Sequence, residues 1–296
     1  MTDAVTTDRV DAGDHACLTF TDPEERLDLV AAFVRDGLRS GMKVVCWTDA
    51  TTPEALTSEL AGRAVRPKAA LRRGQLRIVP VAGSLLGDDG GEGGDGATAA
   101  GMVKVLAGEV DAAGREGYRG LRVTVDMGWA TRPLGAADEL VAFESAAASL
   151  FDDGRLCLIC QYDRDRFDGV TLAFAAKAHP KTVAAQVYVE HPLLRVCRQY
   201  SPAGLRVAGQ LDYRHVDVLE QALAESLRLD RHMHVNLTGL EYIDGACAGL
   251  IVATATRLSA SRRMTVTCRR AVATVLDLVG ARAAPRLRVQ QVNEQP

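Results

Sequence analysis

The feature that most constrains this chain is a regular exchange of two periodicities. Short β-branched runs alternate with longer stretches whose apolar residues recur every three to four positions. The first run, His15–Phe20 (HACLTF), is followed by Asp22 and Pro23, an N-cap residue and a first-turn proline. Leu27, Val30, Val34 and Leu38 then form an apolar stripe that stops at Gly41. Lys43–Trp47, Leu76–Pro80, Leu121–Asp126 and Arg155–Tyr162 read as strands. Pro53–Leu60, Ala99–Arg115, Gly135–Phe151 and Phe167–Ala178 read as helices. Such units close into a mostly parallel sheet covered by helices on both faces. Between Leu85 and Ala100 the pattern lapses into GDDGGEGGDGATAA. That segment has too little apolar surface to offset its ordering entropy and is expected to be a mobile surface loop inside the first domain.

The rhythm restarts after His191–Pro202, where the domain boundary is expected, with domains at 12–190 and 198–293. The second pattern is strand Leu205–Gln210, helix His215–Leu229, strand His234–Leu237, loop Glu241–Ile243 and helix Gly245–Leu258. Strand Met264–Cys268, helix Ala271–Val279 and strand Leu287–Val292 complete it. A length of 296 residues suits two domains, and 47 % apolar with 25 % charged residues is ordinary for a globular chain. A net charge of −3 excludes the basic field of a whole-chain nucleic-acid binder. No apolar run approaches the roughly 18 residues of a membrane span, and Met1–Asp11 has no signal-like core. Seven cysteines, an odd number lying mostly in apolar runs, read as reduced buried thiols in a cytoplasmic protein. Neither nucleic acid nor membrane is expected as a partner.

Three segments of the second domain carry a likeness: LRVAGQLD, HVNLTGLEYIDGACAGLIVATATRL, and MTVTCRR followed by AVATVLDLVGARA. Leu205 to Val292 resembles a STAS domain, in particular the bacterial anti-sigma-factor antagonists. The resemblance implies that the loop and helix start (Glu241, Tyr242, Asp244, Gly245, Ala246, Cys247 and Gly249) dock on an anti-sigma factor of serine-kinase type. It also implies a switch, a phosphorylatable serine usually within Asp-Ser-Ser-Gly. Here the serine position falls on Ala246, and no hydroxyl occupies 245–249, so phosphorylation at the usual site is chemically excluded. Asp244 is placed to cap the helix. Cys247 reads as a small packing residue, with a redox role as a side hypothesis.

The order of elements from His15 to Asp126 looks like a P-loop ATPase core, with Asp126 in the place of a Walker-B acid. A phosphate cradle needs inward-turned glycine amides and a lysine. The connection here is Thr21, Asp22, Pro23, Glu24 and Glu25, which removes a donor and adds three carboxylates. ATP hydrolysis is therefore not expected. With Asp14-His15-Ala16-Cys17, Gly37–Gly41, Asp126, Trp129, Glu144, Cys160-Gln161-Tyr162-Asp163 and His179-Pro180, the first domain resembles a MEDS (methanogen/methylotroph sensory) domain. The resemblance implies small-molecule sensing. Met127-Gly128 departs from it where a second acid is expected.

His15 and Cys17 are two apart on a strand and face one way. Cys160 and His179 can reach the same end of a parallel sheet, where α/β proteins bind ligands. The expected site is a ligand pocket at that sheet end, lined by His15, Cys17, Trp129, Glu144, Cys160, Tyr162, Asp163 and His179. Two histidines and two cysteines also suit zinc, but the spacing lacks the close pairs of recognisable zinc motifs, so the metal question stays open and no cofactor is assigned. The sequence offers no Ser–His–Asp order, paired-carboxylate motif or phosphate loop, so an enzyme is not expected. The reading is a regulatory antagonist whose STAS module is controlled by a sensory domain. The alternatives are a scaffold or oligomerisation protein, and an enzyme of unknown reaction using the N-terminal pocket. Homodimerisation is left open.

Overall fold

A computed structural model describes residues 4–86, 98–131 and 136–292. The chain divides into two compact units, residues 1–184 and 185–296. In the first, strands β1 (Ala4–Val5), β2 (His15–Phe20), β3 (Lys43–Thr48), β4 (Leu76–Pro80), β5 (Leu121–Asp126), β6 (Leu156–Asp163) and β7 (Lys181–Val183) form one sheet. Its order is β1-β7-β2-β6-β5-β3-β4, and every neighbouring pair is parallel. Helices α1 (Pro23–Arg39), α2 (Pro53–Gly62), α3 (Pro67–Arg72), α4 (Ala99–Arg115), α5 (Ala136–Ala146) and α6 (Gly169–Ala178) connect the strands. Strands β3 and β5 are buried along their whole length, as a sheet covered on both faces requires.

Local chemistry sets the element ends. Asp22 Oδ1 accepts from Glu24 N at 2.9 Å, and Pro23 opens α1. Gly41, at φ +74°, takes the left-handed turn after the helix. The buried face of α1 is wider than the expected stripe: Leu29, Val30, Phe33, Val34 and Gly37 are buried, whereas Leu27 and Leu38 are half-buried. The glycine- and acid-rich loop expected within 85–100 falls largely on 87–97, outside the described residues, as does Gly135 at the start of the expected fifth helix.

The second unit holds β8 (Val187–His191), β9 (Leu194–Tyr200), β10 (Ala203–Leu211), β11 (His232–Ile243), β12 (Arg263–Cys268) and β13 (Leu287–Gln291) in the order β13-β12-β11-β10-β9-β8. The first four strands of that order are parallel, and β9 and β8 add an antiparallel hairpin. Helices α7 (Val216–Leu229), α8 (Gly245–Thr256) and α9 (Arg270–Leu278) complete it. The boundary expected at His191–Pro202 lies inside this unit, because β8 and β9 pair with β10 rather than link domains. The loop expected at Glu241–Ile243 is the end of β11, which continues through two register shifts against β10. Gly209 sits at one of these irregularities with φ +95°, and a Cβ there would lie 2.2 Å from the Leu193 carbonyl oxygen.

Candidate functional site

Four side chains from four elements meet on one face of the first sheet. His15 opens β2, and Cys160 lies on β6, where it is register partner to Cys17, two residues along from His15. Strand alternation therefore turns His15, Cys17, Cys160 and Tyr162 to one face. Above them, α5 presents Leu140, Phe143 and Glu144, and Ala147 follows in the next turn, all buried, so a carboxylate stands inside an apolar stripe. His179 is the C-cap of α6 and precedes β7.

The contacts are close. His15 Nε2 lies 3.0 Å from Glu144 Oε2 and 3.5 Å from Cys160 Sγ. His179 Nε2 lies 3.3 Å from the same Glu144 oxygen. The two imidazole centroids are 4.1 Å apart, and Phe151 stacks on His15 at 4.7 Å. Tyr162 donates its hydroxyl proton to Glu144 Oε1, and His179 Nδ1–H donates to the Ala175 carbonyl at 2.7 Å. The one ligand atom of each of His15, Glu144, Cys160 and His179 lies within 4.8 Å of the other three.

Burial and charge act against each other here. Burial pushes the Glu144 carboxyl up, but the His15 ring 3.0 Å away, His179 and the Tyr162 hydroxyl outweigh it and hold the group at about 2. Burial holds His179 down at about 4, with Glu144 opposing. The Cys160 thiol is raised well above its ordinary value by burial and by Glu144. At neutral pH the apo set is therefore an ionised carboxylate, a neutral His179 and a protonated thiol.

A family model for the MEthanogen/methylotroph, DcmR Sensory (MEDS) domain matches residues 14–180, which include all four clustered side chains. The chain belongs to the MEDS family. A family model for the Mlab-type STAS domain follows, matching residues 194–284. Together the two domains support a regulatory, antagonist-like role. Among solved structures, the chain is similar to a KaiC-like protein from Pyrococcus horikoshii OT3 at 12 % identity and a TM-score of 0.45. That match covers 68 % of this chain and 89 % of that one. It is also similar to the flagellar accessory protein FlaH from Methanocaldococcus jannaschii, with 12 % identity, a TM-score of 0.44 and coverage of 68 % and 86 %. No curated protein matches.

The MEDS domain differs from the expected site in three ways. The cluster lies in the layer between sheet and helices, with His15 at the N-terminal end of its strand, rather than in a pocket at the C-terminal sheet end. Glu144 takes the place expected of Cys17, whose Sγ instead lies 3.5 Å from Thr182 Oγ1. Trp129 is buried in the turn after β5, and Asp163 accepts from Asp165 N at 3.0 Å; neither is among the clustered ligand atoms. Glu144 entered the expected site only through family likeness. Its place in the stripe Leu140, Phe143, Glu144, Ala147, Phe151 is the signal that local reading could have used.

The C-terminal sheet end of the MEDS domain holds another buried network. Arg26, on the first turn of α1, donates to Asp126 Oδ2 at 3.0 Å and to Gln161 Oε1 at 2.6 Å. Asp126 also accepts from Ala50 N at 3.2 Å and Gly128 N at 3.0 Å. The acid that resembles a Walker-B aspartate is thus paired with the protein's own guanidinium. Nearby, Glu24 in the first turn of α1 pairs with Arg63 at 2.6 Å.

In the STAS domain Asp244 caps α8. Its Oδ1 accepts from Cys247 N at 2.9 Å and its Oδ2 from Tyr213 N at 2.6 Å. Glu241, Tyr242, Gly245 and Ala246 are exposed, and Asp244 and Gly249 are half-buried. Of the residues expected to dock, Cys247 instead packs into the core, as do its neighbours Ile243 and Ala248. Burial, with Asp244 beside it, pushes the Cys247 thiol up to about 12, the opposite of an activated sensor.

Proposed function

We propose that this protein is a regulatory antagonist in which the MEDS domain senses a ligand through the His15–Glu144–Cys160–His179 cluster and the STAS domain docks on an anti-sigma factor of serine-kinase type. The observation that carries the docking half is the start of α8, where Gly245 and Ala246 are solvent-exposed and without hydroxyl. Tyr213 and Tyr242, 70 % and 52 % exposed, flank Asp244 in hydrogen bonding and in sequence and supply aromatic anchors. With no acceptor for phosphate in 245–249, the partner's kinase activity does not switch this surface, and control passes to the sensory domain. Among the described residues no helix is long and apolar enough to cross a membrane.

The test is Ala246→Asp in the full chain, which places a fixed charge where the resemblance puts a phosphate. Affinity for the anti-sigma factor recovered with the wild-type chain should fall at least about tenfold, with melting unchanged, because an exposed acid in the first helical turn costs the fold little. Unchanged affinity in the folded variant refutes the docking surface.

A further inference from the structure

The cluster contains a contact that the protein's own groups do not satisfy. His179 Nδ1–H is committed to the Ala175 carbonyl, so Nε2 is the ring nitrogen turned into the cluster. That nitrogen faces Glu144 Oε2 at 3.3 Å, and among the described residues neither atom has a hydrogen-bond partner. His15 Nε2 is 3.0 Å from the same oxygen. Both His179 and Glu144 side chains are 0 % exposed. Polar atoms buried face to face without a partner are costly, and a cation between them satisfies both.

We propose that the MEDS domain binds a divalent transition-metal ion of the zinc class on His15 Nε2, Glu144 Oε2, Cys160 Sγ and His179 Nε2. Bonds of about 2.0–2.3 Å at tetrahedral angles place donors about 3.3–3.8 Å apart. Three of the six separations are 3.0, 3.3 and 3.5 Å, close to that spacing, and all lie within 4.8 Å, a distance an ion closes by drawing the donors inward. Two imidazoles and a thiol select a borderline or soft ion over calcium or magnesium, which take oxygen. On binding, the Cys160 thiol proton leaves to solvent, and thiolate plus carboxylate balance the dication, leaving a neutral buried centre. The supporting bonds also suit a metal: Ala175 fixes the His179 tautomer with Nε2 turned inward, and Tyr162 holds the outer oxygen of Glu144. Four protein donors make a closed site that holds the ion itself as ligand.

This deepens the sensory reading above but is measured without the partner, so the two fail separately. The full chain, purified without chelator, is assayed for metal content, then stripped and titrated with Co²⁺. We expect about one ion per chain, a thiolate-to-cobalt charge-transfer band and visible bands of tetrahedral intensity. Cys160→Ser should abolish the charge-transfer band, Tyr162→Phe should weaken binding about 10–100-fold, and Cys17→Ser should leave both unchanged. Because a variant can fail to fold, the wild-type spectrum also decides. A folded wild type that takes up no Co²⁺, or gives no charge-transfer band, overturns the proposal, as does a band that persists in Cys160→Ser. Failure of Ala246→Asp to weaken docking overturns only the partner surface.

Discussion

Replacing Arg26 with methionine removes a charge from the MEDS interior while keeping a stem of similar length. In the wild type the guanidinium lies 5.1 Å from the Phe20 ring centroid, is 8 % exposed, and spans Asp126 and Gln161. Its loss leaves Asp126, 4 % exposed, with the amides of Ala50 and Gly128. Removing one partner of a buried pair costs about 3–5 kcal/mol. The two remaining amides place this case near the lower end, about 3 kcal/mol, or roughly 6–12 °C in melting temperature for a unit of this size. Arg26→Met/Asp126→Asn removes both charges and should recover about 2 kcal/mol relative to the sum of the single losses. Tryptophan fluorescence is the probe, because both tryptophans, Trp47 and Trp129, belong to the first unit, and urea unfolding of the full chain gives the energies. A single variant within about 1 kcal/mol of wild type, or strictly additive losses, would refute the view that this arginine neutralises the aspartate.

His234 accepts from Gln199 Nε2 at Nδ1 (2.8 Å) and donates from Nε2 to Thr267 (2.7 Å), and burial holds it at about 4. Because the unfolded ring titrates near 6.5, the unfolded chain binds the extra proton between these values. The His234 contribution is therefore full above about pH 6.5 and falls by about 2 kcal/mol from pH 7 to pH 5, and that part of the fall should be lost in His234→Gln when followed by circular dichroism. Gly209→Ala forces a side chain into positive φ and onto the Leu193 carbonyl; urea midpoints should show a loss above about 2 kcal/mol, and a neutral change would show that the bulge relaxes. All seven cysteines are buried, so a thiol reagent should label none in the native chain and all seven after denaturation in chelator; rapid native labelling of Cys247 would revive the sensor idea. Calorimetry and phosphate-release assays should detect neither ATP binding nor turnover, since Asp22 caps α1 and Glu24 pairs with Arg63 where a phosphate loop would turn.

Elements with a strong local period were legible in the sequence. Leu76–Pro80, Ala99–Arg115 and Leu121–Asp126 stand at the expected bounds because β-branching or helical spacing and tertiary burial agree there. The β8–β9 hairpin was not legible: VYVEHPLLRVCRQY places a proline at its turn and charged residues on its exposed face, which read as a linker. The end of β11 was read as a loop because Gly239 falls between apolar residues, whereas the strand absorbs it through irregular pairing. His15 and Cys17 are expected together from strand facing, with Cys160 and His179 reaching the same sheet end; three of these four meet, and Cys17 is not among the clustered ligand atoms. Glu144 was locally invisible as their partner because only the packing of α5 against β2 and β6 brings a residue from 144 to one at 15. Arg26 and Asp126 were missed as a pair for the same reason.

The strand order of the first sheet also has a consequence for synthesis. β2 lies between β6 and β7, the two strands made last in that unit, and borders none of β3, β4 and β5, which are made before them. At about 5–20 residues per second, a nascent β2 waits of order ten seconds before the ribosome delivers either neighbour. During that interval HACLTF is an apolar strand with two open edges, the condition in which chaperones engage a chain and truncated products aggregate. Messages cut short anywhere before residue 156 should therefore give insoluble fragments, while a fragment ending at 184 should stay in solution.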